Sequence, residues 1–190
     1  MTVTNANIHL VIRGLRKGLR GLPDPSVTLV GKRWHDPFLV LISCLLSLRT
    51  KDATTLPAAE RLFALADNPR DMLELPTARN TRVIYPLGFS KPKAQTIHGF
   101  CRDLLARYRG QVPNQIDELL TLKGVGRKTA NLVLTEGFGL PAVCVDTHVH
   151  RISNRLGYVA TRDPLATEWA LRETRSEERR VGKECRSRWS

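Results

Sequence analysis

The stretch Leu122-Lys123-Gly124-Val125-Gly126-Arg127-Lys128-Thr129-Ala130-Asn131-Leu132-Val133-Leu134 decides the fold of this chain. Two glycines flank one valine. Apolar Leu119, Leu120 and Leu122 precede them, and the basic pair Arg127-Lys128 follows. The spacing predicts a helix over Gln115–Leu122, a tight turn, and a second helix over Arg127–Phe138. Glycine serves where backbone torsions turn positive and where an anion must approach the main chain. The N–H groups of such a turn, together with the helix start behind it, attract a phosphate. Lys123 and Arg127 add positive charge. A phosphate held this way positions a nucleic-acid backbone without reading its bases. The competing reading is an ordinary helix–helix turn, which the flanking leucines and basic residues disfavour.

Outward from the hairpin, the whole chain reads as helices. Ile8, Val11, Ile12, Leu15 and Leu19 recur at helical spacing, with Arg13, Arg16, Lys17 and Arg20 on other faces. Gly21–Pro37, with three prolines, is expected to be a loop, and Pro37 to enter the first turn of the next helix. Phe38–Leu48 is apolar almost all round and predicts a buried central helix. Pro57–Ala66, Pro69–Leu75 and Arg79–Leu87 follow as shorter helices. Lys91–Tyr108 is a long one, turning Ile97, Phe100, Cys101, Leu104 and Leu105 inward. Gly110–Pro113 ends it, and Gly139–Pro141 makes another turn. Asp146–Leu156 and Pro164–Arg172 are the last clear helices. No strand alternation persists and no repeat occurs, so the expected fold class is all-α.

Composition narrows the partners. The 190 residues are 42% hydrophobic, enough to bury a core, which excludes bulk disorder. Thirty Lys+Arg against 18 Asp+Glu leave a net charge of +12, spread along the chain, and favour a polyanionic partner. Cys44, Cys101, Cys144 and Cys185 are widely separated and show no metal-ligand spacing. The first three read as buried or free thiols of a reducing compartment. Met1–Asn7 has no signal-peptide pattern, and the apolar run Phe38–Leu46 is too short to span a bilayer. A cytoplasmic, nucleoid-associated protein without membrane contact is expected.

Lys128 stands in the first turn after the hairpin, and Val145-Asp146-Thr147-His148 opens a helix 18 residues after that lysine. A lysine amine is a nucleophile only when neutral, and partial burial or a helix N-terminus disfavours its charged form. A neutral amine can attack C1′ of a deoxyribose, displace the base and form an imine. A lysine that merely touches phosphate fits the local sequence equally well. Asp146 tips the balance. Its ordinary role is an N-cap, yet a carboxylate there can also stabilise positive charge developing on the sugar or help deprotonate Lys128. His148 and His150 point to different sides of their helix and make no metal pair. His148 reads as a support for Asp146 or a packing residue.

Leu122–Leu134 together with Val145–Arg151 resembles endonuclease III, the bifunctional DNA glycosylase/AP lyase family of the helix–hairpin–helix superfamily. The resemblance extends over residues 30–173. It includes Leu46-Ser47-Leu48-Arg49-Thr50-Lys51-Asp52, Gly88-Phe89 ahead of Lys93-Ala94, and Gly110-x-Val112-Pro113. It implies a two-lobed helix–hairpin–helix DNA glycosylase fold. Residues 1–29 then carry the N-terminal helix of the second lobe. Residues 30–142 form the lobe with the hairpin (115–137), and 143–174 carry the Asp146 helix and the start of the second lobe. It further implies that Lys128 is the Schiff-base nucleophile and Asp146 the catalytic carboxylate. Gly124, Val125, Gly126, Lys123, Arg127 and His148 would face DNA. The family flips a damaged pyrimidine from the duplex and fills the gap from two loops, and Arg49 and Phe89 fall at those loop positions. Arg49 stands where a glutamine is often found, and Lys123 where a proline is usual. Without the resemblance, Arg49 reads as a surface charge and Phe89 as a core aromatic.

The family usually ends with four cysteines that ligate a [4Fe–4S] cluster. Here only Cys185 lies near that place, within Arg175–Ser190, a stretch of six basic residues that looks like a translated cloning adaptor. That stretch is read as a non-native tail, the second lobe as incomplete, and the chain as holding no cofactor. The resulting expectation is a monomeric base-excision enzyme acting on double-stranded DNA with a damaged base or abasic site. It would remove oxidised pyrimidines through a lysine Schiff base and β-elimination. The rivals are a mismatch-specific monofunctional glycosylase, which usually lacks the hairpin lysine, and a non-catalytic helix–hairpin–helix DNA-binding module.

Overall fold

The computed structural model describes residues 3–174. These residues form helices joined by turns, and no strand occurs among them. The fold is all-α, as the sequence reading expected. The chain divides into two compact units, one of residues 24–142 and one combining the segments before 24 and after 142.

The continuous unit is built around its most apolar helix. Numbering helices along the chain, it contains α2 (Ser26–Trp34), α3 (Pro37–Ser47), α4 (Asp52–Phe63), α5 (Pro69–Glu74), α6 (Thr77–Val83), α7 (Ser90–Tyr108), α8 (Ile116–Leu120) and α9 (Arg127–Leu132). A π turn, Val133–Gly137, continues α9. Every residue of α3 from Phe38 to Leu46 is buried. Its N-terminus is set by Asp36, whose carboxylate accepts from the Phe38 and Leu39 N–H groups at 2.7 and 3.4 Å, and by Pro37 at the first position. Helices α2, α4, α7 and α9 with its π turn pack on α3, while α5 and α6 pack on α7. Full burial of each leucine or isoleucine here stabilises by about 1.5–3 kcal/mol. On α7, Ile97, Phe100, Cys101 and Leu104 are buried as expected, with Lys93 and Ala94 beside them.

Two helix expectations are corrected. The stretch expected as a loop, Gly21–Pro37, contains α2. Val27, Val30 and Gly31 are buried on it, and a Cβ at Gly31 would stand 2.6 Å from the Glu136 carbonyl oxygen. Glycine is what lets the π turn lie against this helix. Prolines and β-branched residues hid a helix that tertiary packing stabilises. A division at residue 29/30 would cut it, and the unit starts at Asp24 instead. Helix α4 begins at Asp52 rather than Pro57. Thr54 and Thr55 donate their N–H groups to the Lys51 carbonyl, and the exposed Pro57 sits inside the helix.

The other unit contains α1 (Ile8–Gly18), α10 (Thr147–Arg155) and α11 (residues 164–174). The Val3 N–H donates to the Leu156 carbonyl at 3.0 Å. A polar chain joins α10 to α11. His150 Nδ1 lies 2.6 Å from the buried Thr167 hydroxyl, which lies 2.6 Å from the Thr161 hydroxyl, and Asn154 brackets the Thr161 backbone and side chain. Helix α1 shows the expected amphipathic stripe, yet none of its residues is buried. Arg175–Ser190, with Val181, Cys185 and Trp189, lies outside the described residues.

Candidate active site

The two glycines of the hairpin have different reasons to be glycine. The Leu122 N–H donates to the Leu119 carbonyl and the Val125 N–H to that of Leu122, at 3.1 and 3.0 Å, so the turn is tight. Gly124 then takes φ +94°, a torsion that side chains resist. Gly126 is extended, at φ −91° and ψ 173°. A Cβ on Gly126 would meet nothing within 4 Å. Neither torsion nor packing demands glycine there, and the open face leaves the main chain approachable. Val125, between them, is buried and anchors the turn in the core. Asn131, fully buried, donates its side-chain N–H to the Arg127 carbonyl at 2.9 Å and steadies the first turn of α9.

Charge gathers on this surface. Lys123 is exposed, Arg127 is half-buried, and Lys128 is the second residue of α9 and exposed. The partial burial that would disfavour the charged form of Lys128 is therefore not found.

Asp146 and His148 belong to the other unit. Asp146 is the N-cap of α10. Its Oδ1 accepts from the N–H groups of His148 and Val149 at 3.0 and 2.9 Å. His148 thus supports the carboxylate through its backbone. Its exposed ring faces Arg151, 3.4 Å away, while the His150 ring turns to Thr167. The two histidines face different partners, as their spacing implied.

Arg49 and Phe89 are brought together. The Arg49 guanidinium carbon lies 5.2 Å from the centre of the Phe89 ring, in cation–π range. Phe89 is 59% exposed, so it is no core aromatic. Between their loops lies a residue that sequence reasoning named only as part of a motif. Lys93 is 5% exposed, and its Nζ donates to the Leu46 carbonyl at 2.7 Å and the Thr50 hydroxyl at 2.8 Å. Burial pushes its amine below the usual lysine range. The available signal was its register on the inward face of α7, ahead of Ile97 and Leu104.

A cluster of four thiolates needs four cysteines converging on one place. Cys44 and Cys101 are separately buried in α3 and α7, Cys144 is half-buried in the other unit, and Cys185 is outside the described residues. Among the described residues no group of three or more His, Cys, Asp or Glu side chains could hold a metal. The described cysteines do not fit an iron–sulfur cluster. Burial pushes the Cys101 thiol up to about 12, so it stays protonated at neutral pH. Among the described residues no helix is long and apolar enough to cross a membrane.

A tight glycine hairpin between two helices of an all-α body is the arrangement of helix–hairpin–helix proteins, and sequence comparison agrees. The family model described as HhH-GPD superfamily base excision DNA repair protein matches residues 42–176, and the chain belongs to that superfamily. Its relatives include endonuclease III proteins. That of Thermotoga maritima is 49% identical over 138 residues, covering 73% of this chain and 65% of the relative. That of Haemophilus influenzae is 38% identical over 149 residues, covering 78% and 69%. A solved structure of a trapped endonuclease III–DNA covalent intermediate, an estranged-adenine complex, superposes with a TM-score of 0.76 at 33% identity. It covers 91% of this chain and 79% of that one. The chain thus spans about two thirds of the length of these endonuclease III relatives.

Proposed function

We propose that the chain is a base-excision-repair DNA glycosylase with AP lyase activity, acting on oxidised pyrimidines in duplex DNA. The hairpin main chain, with Lys123 and Arg127, holds a backbone phosphate. Lys128 Nζ forms a bond to C1′ of the extruded nucleotide as the glycosidic bond breaks, and the base leaves with the bonding pair and takes up a proton. The sugar ring opens to an imine on Lys128, with O4′ protonated. Loss of the C2′ proton then expels the 3′ phosphate and nicks the strand, and water releases the amine. Asp146 stabilises the positive charge that builds on the sugar. The partner is double-stranded DNA, the acting species is a monomer located with the nucleoid, and no iron–sulfur cluster takes part. Purified protein is accordingly expected to be colourless and free of iron and acid-labile sulfide.

The observation that carries this reading is the placement of Lys128. It is the second residue of the helix that follows the open Gly126 face, one turn from where a phosphate would be held. Incubation with an abasic duplex followed by borohydride should trap a covalent adduct. Lys128→Ala should abolish the adduct and keep DNA binding. An undiminished adduct in that variant would remove the nucleophile assignment.

One observation favours a second reading. Asp146 serves as the cap of α10, a structural role that a non-catalytic DNA-binding module would also need. Tight binding to abasic DNA with neither adduct nor nick would select that module.

A further inference from the structure

Two residues without glycine's freedom hold left-handed backbone at the ends of two different helices. Arg49, just past α3, has φ 54°, and Phe89, just ahead of α7, has φ 58°. Such backbone persists only where its surroundings over-determine it, and it gathers at functional sites. Both side chains are exposed, and they stack on one another.

Lys93 is what over-determines them. Through Nζ it donates to the Leu46 carbonyl and the Thr50 hydroxyl, on either side of Arg49. The Thr50 hydroxyl donates onward to the Leu48 carbonyl at 3.2 Å. Its main-chain N–H makes the opening bond of α7, to the carbonyl of Phe89 at 2.9 Å, so the side chain that reaches the Arg49 turn springs from the helical turn that Phe89 begins. One buried residue is therefore bonded to both turns. A methionine would fill the same space without burying an amine, so packing alone does not call for lysine. The polar head is explained by its acceptors. The Leu46 carbonyl belongs to the last turn of α3, where helix carbonyls lack intrahelical partners.

We infer that Lys93 is a positioning residue, which locks the Arg49 and Phe89 turns into one preformed wedge that enters the duplex as a unit when a base is extruded. This rests on the glycosylase reading above. A wedge already shaped before binding avoids the ordering entropy that two mobile loops would lose on DNA. Its effect is confined to substrates in which a base must leave a stack and its space must be filled.

The test compares two substrates under single-turnover conditions. A single-stranded abasic oligonucleotide needs no extrusion, and its borohydride-trapped adduct reports Lys128 alone. A duplex carrying an oxidised pyrimidine needs the wedge. Lys93→Met should lower excision from the duplex by about tenfold or more, while single-strand trapping stays within about twofold, because a small misplacement of positioning groups has effects of that order or larger. In a Phe89→Ala background, where the wedge is already broken, Lys93→Met should add little further loss. Parallel losses on both substrates, or a full additional loss in the Phe89→Ala background, would show a lysine that serves only the fold. Thr50→Val removes one acceptor on the loop and guards against a Lys93 variant that does not fold. It should give a smaller loss, again on the duplex alone, and equal losses on both substrates overturn the inference. If the unmodified protein forms no adduct with either substrate, the glycosylase reading itself fails and the wedge role falls with it.

Discussion

Asp146 accepts two α10 N–H groups through Oδ1, and the catalysis proposed for it requires its charge. Substitution can separate these demands. Asparagine offers the same capping oxygen without charge, so Asp146→Asn should leave the melting temperature nearly unchanged, yet reduce base excision far more than DNA affinity. Asp146→Ala should lose the cap as well, destabilising by about 1 kcal/mol. Comparing thermal unfolding, affinity and single-turnover excision across the pair checks both. Equal losses of affinity and excision in the asparagine variant would leave only the cap. The local positions of Lys128, in a helix's first turn, and of Asp146, as an N-cap, were legible in the sequence because each is fixed by its immediate neighbours, a glycine turn in one case and a helix entry in the other. Lys93 was not. Its meaning comes from a carbonyl 47 residues away, and no local pattern encodes such a partner. Phe89 looks like a core residue on its chemistry alone; the resemblance put it in a loop, and its left-handed backbone and exposure agree with a loop position.

At the scale of elements, the hairpin makes a paired prediction from its two glycines. Gly124→Ala forces a side chain into positive φ and should destabilise by about 1–2 kcal/mol, read from denaturant unfolding. Gly126→Ala fits both its torsions and its surroundings. It should leave stability intact and weaken DNA binding by standing where a phosphate approaches. A Gly126→Ala variant that bound DNA normally would deny the open face any role. The sequence read best where one signal dominated. Helix α3 is apolar on every side, begins with Asp36-Pro37, and was expected within a residue of where it lies. Helix α2 was missed because its propensity is poor and its stability comes from contacts. Its Gly31 looks like a breaker until the Glu136 carbonyl is seen pressed against it. The early start of α4 was missed for a related reason. Proline is favoured at a first turn, and only the bonds to the Lys51 carbonyl place Pro57 in the interior.

For the whole molecule, the net charge of +12 makes salt the natural probe. If the hairpin, Lys123 and Arg127 neutralise backbone phosphates, log affinity should fall linearly with log salt concentration, by roughly 0.9 per phosphate neutralised. Double substitution of Lys123 and Arg127 by alanine should flatten that slope and weaken binding to all sequences alike. An unchanged slope would place the DNA contact elsewhere. The two-unit organisation has a further consequence, which concerns synthesis. Residues 24–142 are continuous, so this unit has its full complement of helices once Ala142 has left the ribosome. Helix α1 is made first, but its unit is completed by segments that follow residue 142. Its unit cannot be completed until everything between has been translated. Chains generally fold domain by domain as they emerge. Here the unit that begins first in the sequence is the last to be completed, so folding is expected to finish in the reverse of the order in which it is translated.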